Sequence, residues 1–188
     1  MNSDSRLTYP VAFSKDSREV KLEGEAYFEV THHENKPFIV HTAGMKVKVL
    51  GTEFNMNTRN TAGIQTTLVK GKVVVEGEHF TAVVLNPGEL ATADIKTGKV
   101  DIVPVNVRKY IAWRYGEYFF EEATMEEILN ELSLWYDVEI VYRQEQLRKE
   151  KFSGCLRRSE SIVSLLNKIE QTTYVHFSVE PNRIIVNY

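Results

Sequence analysis

Residues 24–57 read GEAYFEVTHHENKPFIVHTAGMKVKVLGTEFNMN, and three stretches of period two lie within them. In residues 24–30, Ala26, Phe28 and Val30 alternate with Glu25, Tyr27 and Glu29, the pattern of a strand with one buried and one wet face. Residues 37–42 repeat it, and in residues 45–50 the apolar Met45, Val47 and Val49 alternate with Lys46 and Lys48. Beyond Gly51 the parity flips, because the large apolar residues are now Phe54 and Met56. A strand cannot reverse its faces without losing its burial, so one extra residue absorbed near Gly51 and Thr52, as in a β-bulge, is expected.

Outward from this segment, residues 7–105 keep to short strands separated by turn chemistry. A turn cluster occupies 60–63, Gly71 and Lys72 divide Leu68 from Val73 and Val75, and Asn86-Pro87-Gly88-Glu89 places proline and glycine where a type II turn wants them. Lys96-Thr97-Gly98-Lys99 marks a hairpin before Val100 and Ile102. About eight to ten short strands argue an all-β domain, a jelly-roll-like sandwich or a short β-solenoid, and the lack of a repeat of fixed length favours the sandwich.

After Pro104 the period changes. Residues 106–113 read as a linker, and 114–188 as a small α+β domain, leaving 1–105 to the all-β domain. Residues 116–121 form a strand, and Thr124 with Glu127 makes a T-x-x-E capping box before Ile128, Leu129, Leu132 and Trp135 on one helix face. Strands at 138–142 and 151–156 follow, then Ser159 as the N-cap of a helix carrying Ile162, Leu165, Leu166 and Ile169. Residues 175–180 and 183–188 pair across Pro181-Asn182. The expected order is strand, helix, strand, strand, helix, strand, strand.

Composition narrows the function. The 188 residues are 43% hydrophobic and 26% charged, ordinary for a folded domain. A net charge of −3 without a basic patch excludes the electrostatic footprint of nucleic-acid binding. No apolar run approaches a membrane span, and no signal-peptide pattern follows Met1. The single cysteine, Cys155, excludes an intramolecular disulfide and a thiol-pair metal or redox site.

His32 and His33 point to opposite faces of a regular strand and cannot chelate one ion, so with His41 they read as polar loop and strand residues, and no metal or other cofactor is expected. Glu25, Glu29, Glu121 and Glu122 read as a solvated face rather than a catalytic carboxylate pair. The aromatic residues raise a carbohydrate-binding sandwich module as an alternative, but Phe28, Phe38 and Phe54 sit at alternating core positions.

The segments GEAYFEV, PFIVHT and MKVKVLGTEFNMN, in that order, resemble the FecR-type anti-sigma regulators that control extracytoplasmic-function sigma factors. The second half resembles the C-terminal domain that accompanies FecR regions in Bacteroidetes. Its W-R-x-G-x-x-x-F at 113–120, capped helix and V-E-I-V-Y at 138–142 are similar to the small signalling domain (βαββαββ) of secretins and TonB-dependent transducers. The resemblance implies a non-enzymatic periplasmic sensor region of a single-pass inner-membrane protein, reaching its sigma factor through a cytoplasmic domain and a membrane helix not in this sequence. It implies that residues 1–105 lack their first strands, and that the partner is the N-terminal signalling domain of a TonB-dependent outer-membrane transducer. Some FecR-type regulators cleave themselves at a Gly-Thr bond, which here is Gly51-Thr52. Glycine leaves its carbonyl accessible to the threonine hydroxyl, but no His or Asp neighbour is evident as the base, and a conformational role for the pair is expected. An unpaired edge on the small domain is the expected docking site. The closing strand, with Arg183, Ile185 and Tyr188, is the expected edge, and residues 116–120 are the alternative.

Overall fold

The computed structural model describes residues 1–60 and 62–188, so the turn expected at 60–63 lies partly outside the described residues. The chain is mostly β-sheet and forms two compact units, Met1–Ile111 and Ala112–Tyr188. The stretch expected as a linker is largely helical: Val107–Ile111 is a short helix, α1, and Ala112–Tyr115 a 3-10 turn. Once Pro104 is passed, no proline or glycine interrupts the backbone before Gly116, and the Asn106 side-chain oxygen accepts the Arg108 N–H to start the turn.

The strands of the first unit are β1 (Arg6–Thr8), β2 (Arg18–Glu23), β3 (Glu25–Glu29), β4 (Phe38–Thr42), β5 (Met45–Val49), β6 (Glu53–Asn57), β7 (Ile64–Lys70), β8 (Val73–Gly77), β9 (Val83–Leu85), β10 (Glu89–Asp94) and β11 (Lys99–Pro104). They form two sheets, ordered β1-β2-β4-β5-β8-β9 and β11-β10-β7-β6-β3. From β4 onward the chain lays successive strand pairs into alternate sheets. The inward residues of both sheets make one core, with Val20, Val40, Val47, Val73 and Leu85 from the first and Phe28, Phe54, Met56, Leu68 and Ala91 from the second. Two sheets closed on one core is a sandwich.

This topology explains the parity flip, and corrects the bulge expected at Gly51 and Thr52. The chain leaves the first sheet after Val49 and enters the second at Glu53, so Val49 and Phe54 face the same core from opposite sides. A register irregularity against β7 does occur, one step later, between Glu53 and Phe54.

The second unit contains β12 (Glu117–Thr124), α2 (Met125–Tyr136), β13 (Glu139–Tyr142), a 3-10 turn (Glu145–Lys149), β14 (Lys151–Arg157), α3 (Ile162–Glu170), β15 (His176–Glu180) and β16 (Arg183–Asn187). β12 pairs antiparallel with β14, and a second sheet runs β13-β16-β15, with β13 and β16 parallel. Met125, Ile128, Leu129 and Leu132 of α2 share a core with Leu165 and Leu166 of α3, and with Leu156, Ile184 and Val186 from the strands. The capping box is formed in both directions, Glu127 N–H to the Thr124 hydroxyl and Thr124 N–H to the Glu127 carboxylate. The N-cap of α3 is Ser161, not Ser159. The Ser161 hydroxyl accepts the Ser164 N–H, while Ser159 falls in the preceding turn.

Candidate functional site

Gly51 and Thr52 lie at the crossing between the two sheets. The Val30 N–H donates to the Thr52 carbonyl at 3.0 Å and the Thr52 N–H to the Val30 carbonyl at 3.2 Å, which carries the β3–β6 ladder one pair beyond both strands. Thr52 is buried, and its hydroxyl donates to the Lys72 carbonyl at 2.9 Å. That carbonyl holds the hydroxyl in place but takes no proton from it. Leu50 is fixed by donors to its carbonyl from His33 N–H at 2.8 Å and the Arg18 guanidinium at 3.3 Å.

Glycine at 51 is required by space. A Cβ there would lie 2.4 Å from His32 Cα and 2.8 Å from His32 Nδ1. Gly71 answers from the other side, with φ +96° and room for no Cβ against the Gly51 carbonyl oxygen at 2.9 Å and Thr52 Oγ1 at 3.0 Å. The structure therefore brings an imidazole beside Gly51, where sequence reasoning saw no neighbouring His. The signal was present only indirectly. Once residue 30 is opposite residue 52, the antiparallel register carries 32 to the neighbourhood of 50 and 51. Arg18 was also missed, since nothing in its local sequence distinguishes it from other strand-end arginines.

Glu25 anchors a second polar cluster, and it is buried rather than solvated. Its carboxylate accepts from Asn2 Nδ2 at 2.7 Å and Asn55 Nδ2 at 2.9 Å, with the Arg59 guanidinium at 3.4 Å. Its backbone N–H donates to the Ser5 hydroxyl, and its carbonyl accepts the Asn2 N–H. A buried carboxylate keeps its charge only with such partners.

The edge expected on the second unit is corrected. β16 is the central strand of its sheet, with β13 on one side and β15 on the other, so its backbone offers no open edge. Ile185 is 9% exposed, in register with Val141 and Ser178. Arg183 is ion-paired to Glu180 at 2.6 Å, and this bond raises its already high pKa. Tyr188 is exposed just beyond β16. Being last in the chain does not make β16 an edge. Here the parallel return of β13 encloses it. The open sides belong to β13, β15, β12 and β14, which makes the alternative at 116–120 an edge in part, through β12.

The histidines do not converge. His41 is bonded to Glu19 at 2.9 Å, and the Glu19 carboxyl is held below its usual range by the Ser17 hydroxyl and by His41. His32 faces Glu34 at 3.8 Å. Among the described residues, no group of three or more His, Cys, Asp or Glu side chains is arranged to hold a metal ion. Phe28 stacks on Phe54 at 5.0 Å and tilts against Phe38 at 5.7 Å, within the core or at its edge. Those rings present no stacking platform to a sugar. No helix among the described residues is long and apolar enough to cross a membrane.

Comparison with known proteins adds the family. Residues 1–74 match the family model described as FecR protein, and residues 117–186 match that described as FecR, C-terminal. Two crystal structures, at 1.65 and 2.50 Å, of a protein described as a candidate anti-sigma factor from Parabacteroides distasonis ATCC 8503 are similar throughout. At 29% identity they superpose with TM-scores of 0.87 and 0.86, covering 100% and 99% of this chain and 88% and 87% of that one. No curated protein matches. A FecR region followed in order by a FecR C-terminal domain, on a fold shared over the full length with that solved structure, places the chain in the FecR family.

Proposed function

We propose that this chain is the periplasmic sensor region of a transmembrane anti-sigma factor. Its input is the N-terminal signalling domain of a TonB-dependent outer-membrane transducer, and its output is the restraint or release of an extracytoplasmic-function sigma factor through parts of the protein outside this sequence. The observation that carries the reading is the match of both halves, in order, to the two FecR family models, together with full-length similarity to a candidate anti-sigma factor. The element order of the second unit, βαββαββ, supports its kinship to the signalling domains of transducers and secretins. A domain of that kind offers open strand edges to a partner domain. The described groups also favour a binding role over a chemical one, since the Thr52 hydroxyl is engaged by a backbone carbonyl.

The test is direct binding, by titration calorimetry, of the transducer's isolated signalling domain to the full chain, paired with a sigma-dependent transcription reporter in cells. Saturable binding and a reporter that responds to loss of this region are expected. A reporter indifferent to deletion of residues 1–188 would overturn the regulatory role, and absent binding would overturn the choice of partner.

A further inference from the structure

β15 hydrogen-bonds to β16 along one side, with Glu180 opposite Arg183, Ser178 opposite Ile185 and His176 opposite Asn187. In an antiparallel pair, alternate residues turn their N–H and C=O groups to opposite sides. The Phe177 N–H donates to the Glu170 carboxylate at 2.5 Å, so the odd-numbered positions of β15 face away from β16. Val175, just before the strand, obeys the same rule, its N–H donating to the Thr173 hydroxyl at 2.9 Å. Val179 is the next outward position, and the residue is 45% exposed. Tyr174, at the other end of the edge, is 89% exposed.

Two side chains therefore cap the outward amides of Val175 and Phe177, and among the described residues no further strand pairs along this edge. A side-chain cap swings aside by rotation about its own χ angles, whereas a paired strand must be peeled away. Glu170 is moreover the last residue of α3. A carboxylate there meets the negative end of the helix, an unfavourable place that a lysine or arginine would suit better. A residue that breaks a local rule while bonding to an edge amide has a compensating role to be sought.

We propose that β15 accepts an extended strand from the partner, and that Glu170 is the displaceable cap controlling access to it. This rests on the reading above, in which a partner domain docks on the second unit. The incoming strand takes over the Phe177 N–H and pairs with the backbone of Val179. A basic side chain flanking that strand pairs with the released Glu170 carboxylate, beside which the His176 ring lies at 3.7 Å. The occupant is therefore an extended segment with a lysine or arginine beside its pairing residues.

The test uses the full chain and the isolated signalling domain of the TonB-dependent transducer as the probe. Glu170→Ala forgoes that surface ion pair, which is worth little, but needs no cap displaced, and is expected to bind about fivefold more tightly, about 1 kcal/mol at 1.4 kcal/mol per tenfold. Glu170→Gln, which keeps an acceptor oxygen, should stay near wild type. Val179→Pro removes an outward N–H, a change that edge strands tolerate, and should weaken binding tenfold or more with the fold intact by circular dichroism. Hydrogen exchange gives a second readout: the Phe177 amide should lose protection in Glu170→Ala and regain it with the probe bound. Undiminished binding by Val179→Pro would overturn the edge assignment while leaving the transducer as partner. If Glu170→Ala instead self-associates, Val179→Pro reverses this, and the probe binds no better, the cap guards only against pairing with a second copy, and the proposal fails. Absence of binding by wild type and Glu170→Ala alike overturns the partner and the site together.

Discussion

Gly51 shows how one position can be fixed by space alone. Its φ is not in the left-handed region, yet an added Cβ would overlap the His32 backbone, which has no flexible end to give way. Gly51→Ala should therefore lower stability by about 1–3 kcal/mol, the usual cost of overpacking, read from a chemical denaturation midpoint. Thr52→Ala removes a buried hydroxyl from the Lys72 carbonyl and should cost about 1–2 kcal/mol, while Thr52→Ser keeps most of it. Intact-mass analysis of the incubated protein should find one chain; fragments ending at Gly51 that Thr52→Ala abolishes would make the hydroxyl a nucleophile. Tyr142 behaves differently. Its hydroxyl oxygen is buried with no hydrogen-bond partner among the described residues, and burial pushes its pKa up to about 12 from the usual 10.0, against the opposing pull of Arg148, whose guanidinium lies 4.1 Å from the ring centroid. A raised folded-state pKa stabilises fully below the unfolded value and is lost as pH rises from about 10 to about 12. Tyr142→Phe should remove that alkaline loss and be neutral or mildly stabilising at pH 7, which paired denaturation curves at pH 7 and 11 will show.

At the scale of the element, β16 carries the sharpest consequence. Because its backbone is paired on both sides, Ile185→Pro should unfold the second unit, seen as lost near-ultraviolet dichroism, rather than merely disable a docking edge. The helix caps are smaller effects: Thr124→Ala should cost about 1 kcal/mol through the capping box. These elements differ in how plainly the sequence announced them. The T-x-x-E box, the Pro181-Asn182 hairpin and the period-two strands are local patterns, and the chain follows them. Which strands adjoin is decided by contacts far apart in sequence, such as β13 lying parallel to β16, and no local pattern encodes that. The parity flip at Gly51 was legible as a break, but a change of sheet and a bulge produce the same flip. The buried state of Glu25 was illegible for a similar reason, since its partners Asn2, Asn55 and Arg59 come from three other segments.

At the scale of the whole molecule, the two units have separate cores. A cavity in one should weaken that unit first. Phe54→Ala, at a fully buried position, should cost about 3–5 kcal/mol, and hydrogen exchange should show the loss of protection concentrated within residues 1–111 while amides of α2 and β16 hold theirs. Equal loss in both units would mean that they unfold as one.

The alternation of strand pairs between the two sheets also governs how the first unit can form in time. β5 meets β8 only after β6 and β7 have crossed the core and returned, and β2 meets β4 in parallel only after β3 has gone to the other layer. Each such closure brings together residues distant along the chain before any contact rewards it, which slows the search. A nascent first unit therefore exposes unpaired apolar strands until β8 arrives, and its refolding should be slow and prone to aggregation at high concentration, whereas the second unit, whose helices are locally capped, has structure to build on from the start.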